Sequence, residues 1–369
     1  MSKRRKKKLN RRQQEIRRKR LKKRKRRRAI VIIIELIILC ILGTTAFALF
    51  KLGKMERTSL TNIKNNGLKQ TGYTNIALFG LDSRGKSLGK GNRTDTIMVA
   101  SINNETKKVK LISVYRDTML KQNGEHYDKA NAAYSVGGPE TAVNMLNENL
   151  DLDIQDYVSV NFLALADVID MVDGITVKMT DEEVVHMNNY CVETSKVTGK
   201  KYKKIEPAVA GTYKLNGVQA VSYARIRYTA GGDYKRTERQ RLVLEKTANK
   251  LKKQNLATIN KIIDKVMPEV STSFSTKEIL ALASGAFDFE LGETSGFPFD
   301  LETPDSVPGY SGSYVIPKGL EENVIKLHEF LFPDEEYTPT KTVTNISDTL
   351  INMTNVYPST TGSGTSQYE

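Results

Sequence analysis

Residues 92–118 read NRTDTIMVASINNETKKVKLISVYRDT. Two apolar, β-branched runs at 96–102 and 109–115 flank a polar segment at 103–106 with the composition of a tight turn. Such a pattern predicts an antiparallel hairpin. The run NIALFG at 75–80, which ends in glycine, predicts a strand that precedes the hairpin along the chain.

The rest of the chain alternates between strand and helix patterns. Further strands are predicted at 157–162 and 174–179. Apolar residues spaced three and four apart predict helices at 140–150, 163–172, 216–225 and 235–251, the first of them started by a Gly-Gly-Pro sequence. Because strands and helices interleave, the predicted fold class is α/β, with a mixed central sheet covered on both faces by helices.

The N-terminal segment predicts a membrane anchor. Residues 1–28 contain nineteen Lys and Arg and a single acid, and the 22 residues of 29–50 are apolar apart from Glu35. About 20 apolar residues span a bilayer core. Basic residues on the N-terminal side predict a cytoplasmic N-terminus and an extracytoplasmic remainder. The sequence Ala46-Phe47-Ala48 leaves open the alternative of a cleaved signal peptide.

This topology divides the chain of 369 residues into five segments. A basic tail at 1–28 is expected to be attracted to anionic membrane lipids. A transmembrane helix at 29–50 and a partly helical juxtamembrane stalk at 51–73 follow. The catalytic domain is predicted at 74–337, and a Ser/Thr-rich tail at 338–369 is predicted to be disordered.

The distribution of charge argues against a nucleic-acid partner. The whole chain carries a formal charge of +15, but residues 51–369 contain 38 basic and 40 acidic side chains. The excess charge therefore belongs to the tail, and the globular part lacks the basic surface of a nucleic-acid binder. Only two cysteines and three histidines are present, and their spacing matches no standard zinc site.

Arginine and aspartate recur together at the ends of the predicted elements. Arginine binds phosphate oxygens through a rigid fork that keeps its charge. Several arginines that converge on one point repel each other unless an anion lies between them. Six or seven arginines suggest a pyrophosphate. The alternative for any one cluster is a surface salt bridge. The residues concerned are Asp82, Arg84, Arg93, Asp95, Arg116, Arg225, Arg227, Asp233, Arg236, Arg239 and Gln240.

Two of the acids are predicted to bind a divalent cation. Asp82 follows the first strand and Asp95 precedes the second, so neighbouring strands would bring both carboxylates to one edge of the sheet. Mg²⁺ or Mn²⁺ beside phosphate oxygens commonly takes one or two carboxylates. Asp95 is the stronger candidate, and its replacement by Ala is expected to abolish activity at little cost in stability. In the alternative, these acids only hold the arginines in place.

The sequence resembles the LytR-CpsA-Psr family. The resemblance rests on NIALFGLDSRG at 75–85, the stretch at 92–118, the segment at 129–162 and LNGVQAVSYARIRYTAGGDYKRTERQRLVL at 215–244. It implies an α/β/α domain with an apolar groove for a polyprenyl chain, on the outer face of the membrane of a Gram-positive bacterium. Tyr115 and Tyr228 depart from the family pattern, in which Pro and His respectively are common.

The resemblance also implies an activity. Such proteins transfer a glycopolymer, such as wall teichoic acid or capsule, from undecaprenyl pyrophosphate to peptidoglycan and form a phosphodiester. It implies pyrophosphate-binding residues Arg84, Arg93, Arg116, Arg225, Arg227, Arg236 and Gln240, with Mg²⁺ at Asp82 and Asp95. Asp82 or Asp233 is expected to take the proton of the attacking hydroxyl. A non-catalytic lipid- or polymer-binding scaffold and a transcription attenuator are the alternatives.

Overall fold

The computed structural model describes residues 56–82, 88–229, 232–284 and 288–359. Its strands are β1 (Glu56–Arg57), β2 (Tyr73–Leu81), β3 (Thr94–Asn103), β4 (Lys108–Val114), β5 (Met119–Lys121), β6 (Tyr127–Lys129), β7 (Ile154–Asn161), β8 (Ile175–Met179), β9 (Gly211–Leu215), β10 (Val270–Thr272), β11 (Glu290–Phe297), β12 (Leu301–Glu302) and β13 (Ile316–Pro317). Its α-helices are α1 (Ala132–Leu150), α2 (Phe162–Met171), α3 (Asp181–Thr198), α4 (Gly217–Arg225), α5 (Gly232–Leu251), α6 (Leu256–Val266), α7 (Thr276–Ser284), α8 (Leu320–Leu331) and α9 (Lys341–Thr354).

A seven-stranded mixed sheet organises these elements in the order β1-β10-β7-β2-β3-β4-β11. The hairpin predicted around 103–106 is confirmed, because β3 and β4 pair antiparallel with Ile97 opposite Val114. β2 pairs antiparallel with β3 and parallel with β7. The predicted fold class, α/β with a mixed sheet and helices, is confirmed.

The two faces of the sheet pack against different helices. Because side chains alternate along a strand, Ala77 and Phe79 of β2 point into a core shared with α1, α8 and α9. Ile76 points to the other face and joins a smaller cluster with residues of α7. Leu78 lies on that same face and lines a cavity with Val243 of α5. The arginine-rich motifs meet on this face of the sheet, which carries Ile76, Leu78 and the cavity.

Hydrogen-bonded caps fix the starts of the helices that flank this face. α3 begins with a capping box in which Thr180 and Glu183 satisfy each other's backbone N–H groups. α4 begins with the same arrangement between Asn216 and Gln219. α3 and α4 pack with the β8–β9 ribbon around a separate apolar cluster that includes buried Cys191. The predicted strand at 174–179 is therefore present but lies outside the main sheet.

The helix predicted at 140–150 begins earlier than expected. α1 starts at Ala132 and continues through Gly138, whose φ of 75° and ψ of −162° are not helical. A positive φ of this kind is the region that glycine enters readily. The Gly-Gly-Pro sequence therefore marks a kink within a longer helix, and the second segment starts there as the pattern indicated.

The disorder predicted for 338–369 is wrong for its first part. Residues 341–354 form α9, which begins at the N-cap Thr340 and buries Val343, Ile346 and Leu350 against the core of α1 and α8. These apolar residues recur at helical spacing, which the surrounding Thr, Ser and Asn obscured. Residues 360–369 lie outside the described part of the chain.

The stalk predicted at 51–73 is also different from expectation where it is described. Its residues 56–72 are not helical and instead add β1 to the edge of the sheet. Leu60 and Ile63 pack against the main core, and Glu140 of α1 accepts a hydrogen bond from the backbone of Thr61 at 2.7 Å. Within the described ranges no helix has the length and apolar character needed to cross a bilayer. The anchor predicted at 29–50 lies outside those ranges.

Candidate functional site

Asp95 lies at the centre of the arginine-rich motifs. It is the second residue of β3, and Arg116 follows the end of the antiparallel strand β4, so the pairing of the two strands brings them together. Arg116 Nη1 donates to Asp95 Oδ1 at 2.7 Å. Arg227, two residues after α4, places Nη2 at 3.5 Å from Asp95 Oδ2. Three separate sequence motifs thus meet at one carboxylate.

The electrostatic balance around Asp95 keeps the carboxylate ionised. Burial by itself would raise the pKa of Asp95, because a buried charge is poorly solvated. The positive charges of Arg116, Arg236 and Arg227 outweigh that effect and leave the pKa below its ordinary value. Asp95 therefore carries a negative charge at every physiological pH.

Arg225 is held by side chains of α3. Its Nη1 donates to Thr194 Oγ1 at 3.0 Å, and its Nη2 lies 3.0 Å from Glu193 Oε2. The guanidinium lies over the ring of Phe162, at 4.9 Å from the centroid, with Tyr190 at 5.7 Å. These contacts fix one face of the guanidinium of a residue that is only 9% exposed. Its position is therefore set before any ligand binds.

An apolar cavity of about 220 Å³ opens beside these arginines. Asp95, Arg225, Arg236 and Gln240 are its charged and amide lining residues. The other lining residues are Leu78, Phe79, Gly80, Thr96, Met98, Val158, Val160, Phe162, Leu165, Val221, Ala224, Val243 and Leu244. The cavity therefore has an apolar wall next to cationic side chains. This composition suits an amphiphile with an anionic head.

Two details of the cavity explain the sequence around it. Arg236 and Gln240 are one turn apart on α5, so both face the cavity, and Gln240 Nε2 donates to the Asp95 carbonyl at 3.4 Å. Gly80 of β2 lies opposite Thr96, and a Cβ at position 80 would lie 2.9 Å from Thr96 Cβ. Only glycine allows the strands to approach this closely at the cavity wall.

The remaining predicted residues occupy different places. The strands that carry Asp82 and Asp95 are neighbours, as expected, and the Asp82 N–H donates to the Arg93 carbonyl at 3.1 Å. Arg93 itself is an exposed residue. Arg84 and the side chain of Asp233 lie outside the described part of the chain, so their predicted roles stay predictions.

Arg239 does not face the cavity, although its spacing on α5 placed it near Arg236 and Gln240. Its Nε donates to Glu183 at 2.8 Å, its Nη1 to the Ile226 carbonyl at 3.2 Å and its Nη2 to Thr229 at 2.7 Å. Only 6% of its side chain is exposed. These bonds tie the 226–229 segment to α3 and α5, so they hold in place the segment that carries Arg227.

Sequence reasoning missed the residues that position Arg225. Glu193 and Thr194 are about thirty residues away along the chain, and nothing in their local pattern distinguishes them from other polar residues of a helix. Their role can be recognised only when the helix spacing is combined with the structure. Glu193 and Thr194 follow Tyr190 by three and four residues, so all three lie on one face of α3.

The residues present are compatible with a divalent cation. No group of three or more His, Cys, Asp or Glu side chains suited to a metal occurs within the described ranges. A cation here would therefore rely on one or two carboxylates and on ligand or water oxygens, as Mg²⁺ commonly does. Asp95 is ionised, and the buried Gln240 Oε1 has no hydrogen-bond partner among the described residues. Both are oxygen ligands of the kind that Mg²⁺ takes.

Comparisons with known proteins place this architecture among relatives. A model of the LytR_cpsA_psr family matches residues 44–293. The chain is 31% identical over 254 residues to the Biofilm regulatory protein A of Streptococcus mutans, in an alignment that covers 65% of this chain and 60% of that protein. It is 29% identical over 255 residues to the polyisoprenyl-teichoic acid–peptidoglycan teichoic acid transferase TagU of Enterococcus faecalis, with 67% and 78% covered.

A solved structure supports the same relationship at the level of the fold. The LytR-CPS2A-psr family protein YwtF (TagT) with bound octaprenyl pyrophosphate lipid has a TM-score of 0.53 with this chain. The two are 21% identical, and the match covers 74% of this chain and 99% of that structure.

Proposed function

This chain belongs to the LytR-CpsA-Psr family, and we propose that it transfers a glycopolymer from a polyprenyl-pyrophosphate carrier to peptidoglycan. One observation carries the proposal. Arg116, Arg227 and Arg236 gather around Asp95. Arg225 lines the same apolar cavity as Asp95 and Arg236. A pyrophosphate attached to a polyprenyl chain has the matching division into a dianionic head and an apolar tail.

The relatives support the chemistry. TagU is named as a transferase of teichoic acid from a polyisoprenyl carrier to peptidoglycan, and YwtF was solved with octaprenyl pyrophosphate. In this chain the polyprenyl segment would lie against the apolar residues of β2, β3 and α5 in the cavity wall. Teichoic acid, capsule and related wall polysaccharides all fit the proposal, because the cavity residues would contact the lipid carrier and not the polymer.

The proposed reaction is a phosphoryl transfer. A hydroxyl of peptidoglycan attacks the phosphorus nearer the glycan, a phosphodiester forms, and polyprenyl monophosphate leaves. Arg116, Arg227 and Arg236 neutralise the pyrophosphate oxygens, and Arg225 is pre-positioned by α3 so that little reorganisation is needed. Asp82 or Asp233 takes the proton of the attacking hydroxyl. Asp95 holds the arginines in the geometry that receives the charge of the transition state.

A divalent cation is part of the proposal. Asp95, with Asp82 on the neighbouring strand, would hold Mg²⁺ or Mn²⁺ beside the pyrophosphate. When bound, the cation supplies further neutralisation of phosphate oxygens. The proposed location is the outer face of the cell membrane of a Gram-positive bacterium, because the basic tail at 1–28 and the apolar run at 29–50 predict an N-terminal anchor.

Reconstitution tests the proposal against a scaffold. Purified full-length chain in detergent is mixed with lipid-linked glycan and peptidoglycan, and glycan linked to the wall polymer is measured after digestion. The proposal expects linkage that depends on Arg227, so Arg227→Ala should lose it while the lipid-linked donor still binds. Binding of the donor without any linkage in the wild type would support a non-catalytic scaffold and contradict the proposal.

A further inference from the structure

A row of side chains on α3 borders the arginine cluster and leads away from it. Glu182, His186 and Tyr190 are four residues apart, so they share one face of the helix. His186 Nε2 lies 3.8 Å from Glu182 Oε1, and Tyr190 lies 5.7 Å from the guanidinium of Arg225. One end of this row therefore contacts the proposed pyrophosphate site.

Tyr228 extends the row with an exposed aromatic ring. It directly follows Arg227, and its ring centroid lies 6.3 Å from that of His186 with 37° between the planes. Tyr228 is 74% exposed, which is unusual for so large an aromatic residue. His186 is one turn from Tyr190 on α3, so it links the exposed ring of Tyr228 to the ring beside Arg225. The three rings therefore form a row that begins beside the guanidinium of Arg225.

A polar groove is lined by Glu182 of the same row and by Thr229, the residue after Tyr228. It encloses about 560 Å³ between α3 and α5. Its walls carry both donors and acceptors, among them Glu182, Thr229, Lys235 and Glu238. Aromatic faces beside a groove of mixed polar groups suit a pyranose, whose ring presents C–H groups on its faces and hydroxyls around its edge. The apolar cavity that would hold the carrier is separate, with different lining residues.

We infer that Tyr228, with His186 and Tyr190, is a sugar-binding subsite for the phosphate-linked pyranose of the donor. The inference rests on the proposed function. The first sugar of the glycan is bonded directly to the phosphate, so it must lie within one residue's reach of Arg227. Tyr228 is the next residue along the chain, and its exposed ring lies beside His186. It acts as a positioning residue that selects a sugar-bearing carrier over a bare one.

Binding measurements on the full-length chain in detergent test this assignment. The probes are polyprenyl pyrophosphate, polyprenyl pyrophosphoryl-N-acetylglucosamine and a peptidoglycan disaccharide-peptide. Covering one face of a phenol ring buries roughly 50–60 Å² of apolar surface, which corresponds to about tenfold in affinity. Tyr228→Ala should therefore weaken the sugar-bearing lipid by about tenfold and leave the bare lipid unchanged. Tyr357→Ala, at another exposed tyrosine, is the matched control and should change neither.

The outcomes separate the possibilities. Equal losses for both lipids, or no loss for either, would overturn the subsite. A tenfold loss for the peptidoglycan fragment alone would assign the rings to the acceptor and overturn the donor assignment. A wild-type chain that binds neither lipid would overturn the proposed function itself, which is a different result from a failure at Tyr228.

A spectroscopic readout checks contact with the ring directly. The chain contains no tryptophan, so Tyr228→Trp places a single tryptophan, which can be excited selectively over tyrosine, at the proposed subsite. Its emission should shift with the sugar-bearing lipid and not with the bare lipid. The same emission change with both lipids, or none with either, would contradict stacking on residue 228. Tyr357→Trp provides the reference for non-specific effects of detergent and lipid.

Discussion

Replacement of Asp95 by Asn removes one buried negative charge and preserves the size of the side chain. The main loss is the negative charge of the acceptor in the 2.7 Å hydrogen bond from Arg116, in which the side chains of Arg116 and Asp95 are 17% and 12% exposed. A hydrogen bond to a charged group contributes about 1.5–3 kcal/mol. The Arg227 contact at 3.5 Å adds little, because that side chain is 34% exposed. The free energy of unfolding should therefore fall by about 2–3 kcal/mol, whereas the sequence alone predicted little loss of stability for Asp95→Ala.

The pH dependence of this loss identifies its cause. Because the arginines hold the pKa of Asp95 below its ordinary value in the folded chain, its stabilising effect is fully present above the unfolded pKa of about 3.9. It is lost as the pH falls through the lower folded pKa. The stability difference between wild type and Asp95→Asn should therefore be constant at about pH 5–7 and shrink below about pH 4.

Urea unfolding followed by far-UV circular dichroism measures both quantities, since tyrosine is the only strong fluorophore. Asp173→Asn is the matched control: Asp173 pairs with Lys214 on the surface, and its loss should not change stability measurably. An Asp95→Asn chain as stable as the wild type at pH 7 would refute the reasoning. A stability difference that persists unchanged down to pH 3 would refute its electrostatic basis.

Three further predictions concern arginine roles, the cation and packing. Arg227→Ala should abolish transfer and lower the free energy of unfolding by only about 1 kcal/mol. Arg239→Ala should lower it by about 3 kcal/mol, because the buried guanidinium of Arg239 donates to Glu183, Ile226 and Thr229. Chemical denaturation and a transfer assay of both variants check this contrast, and equal stability losses would contradict it. Transfer should stop in excess EDTA and return when Mg²⁺ is added. Full transfer activity in EDTA would contradict the cation site and would leave Asp82 and Asp95 only the role of holding the arginines in place. Gly217→Ala should lower the melting temperature by several degrees, because the new Cβ would lie 2.1 Å from the Ala166 carbonyl oxygen; an unchanged melting temperature would show that α2 and α4 can separate.

The strands of the central sheet were predictable because their side chains carry the signal locally. The apolar runs at 75–80, 96–102 and 109–115 lie within β2, β3 and β4 to within two residues at either end. Burial on both faces of these central strands makes them continuously apolar. α9 was not predictable in the same way, because Val343, Ile346 and Leu350 are few among many polar residues and α9 gains its stability from packing on α1 and α8.

The candidate site was predictable in its residues and less so in their roles. Arg116, Arg227 and Asp95 each lie at the end of a recognisable element, so the topology of the sheet brings them together. The roles of Arg225 and Arg239 could not be predicted, because each side chain bonds to a residue of α3 that no local sequence pattern connects to it. A position on a helix face therefore indicated which residues are neighbours but not which of them face the cavity.

The identity of the bond that breaks in the donor distinguishes phosphoryl transfer from other routes to a wall-linked glycan. Donor labelled in both phosphates is incubated with the chain and peptidoglycan, and the lipid product and the wall-linked product are analysed by mass spectrometry. Attack at the phosphorus nearer the glycan predicts polyprenyl monophosphate in amounts equal to the linked glycan, with one labelled phosphate in the phosphodiester. Release of polyprenyl pyrophosphate together with a wall product that lacks phosphorus would contradict phosphoryl transfer.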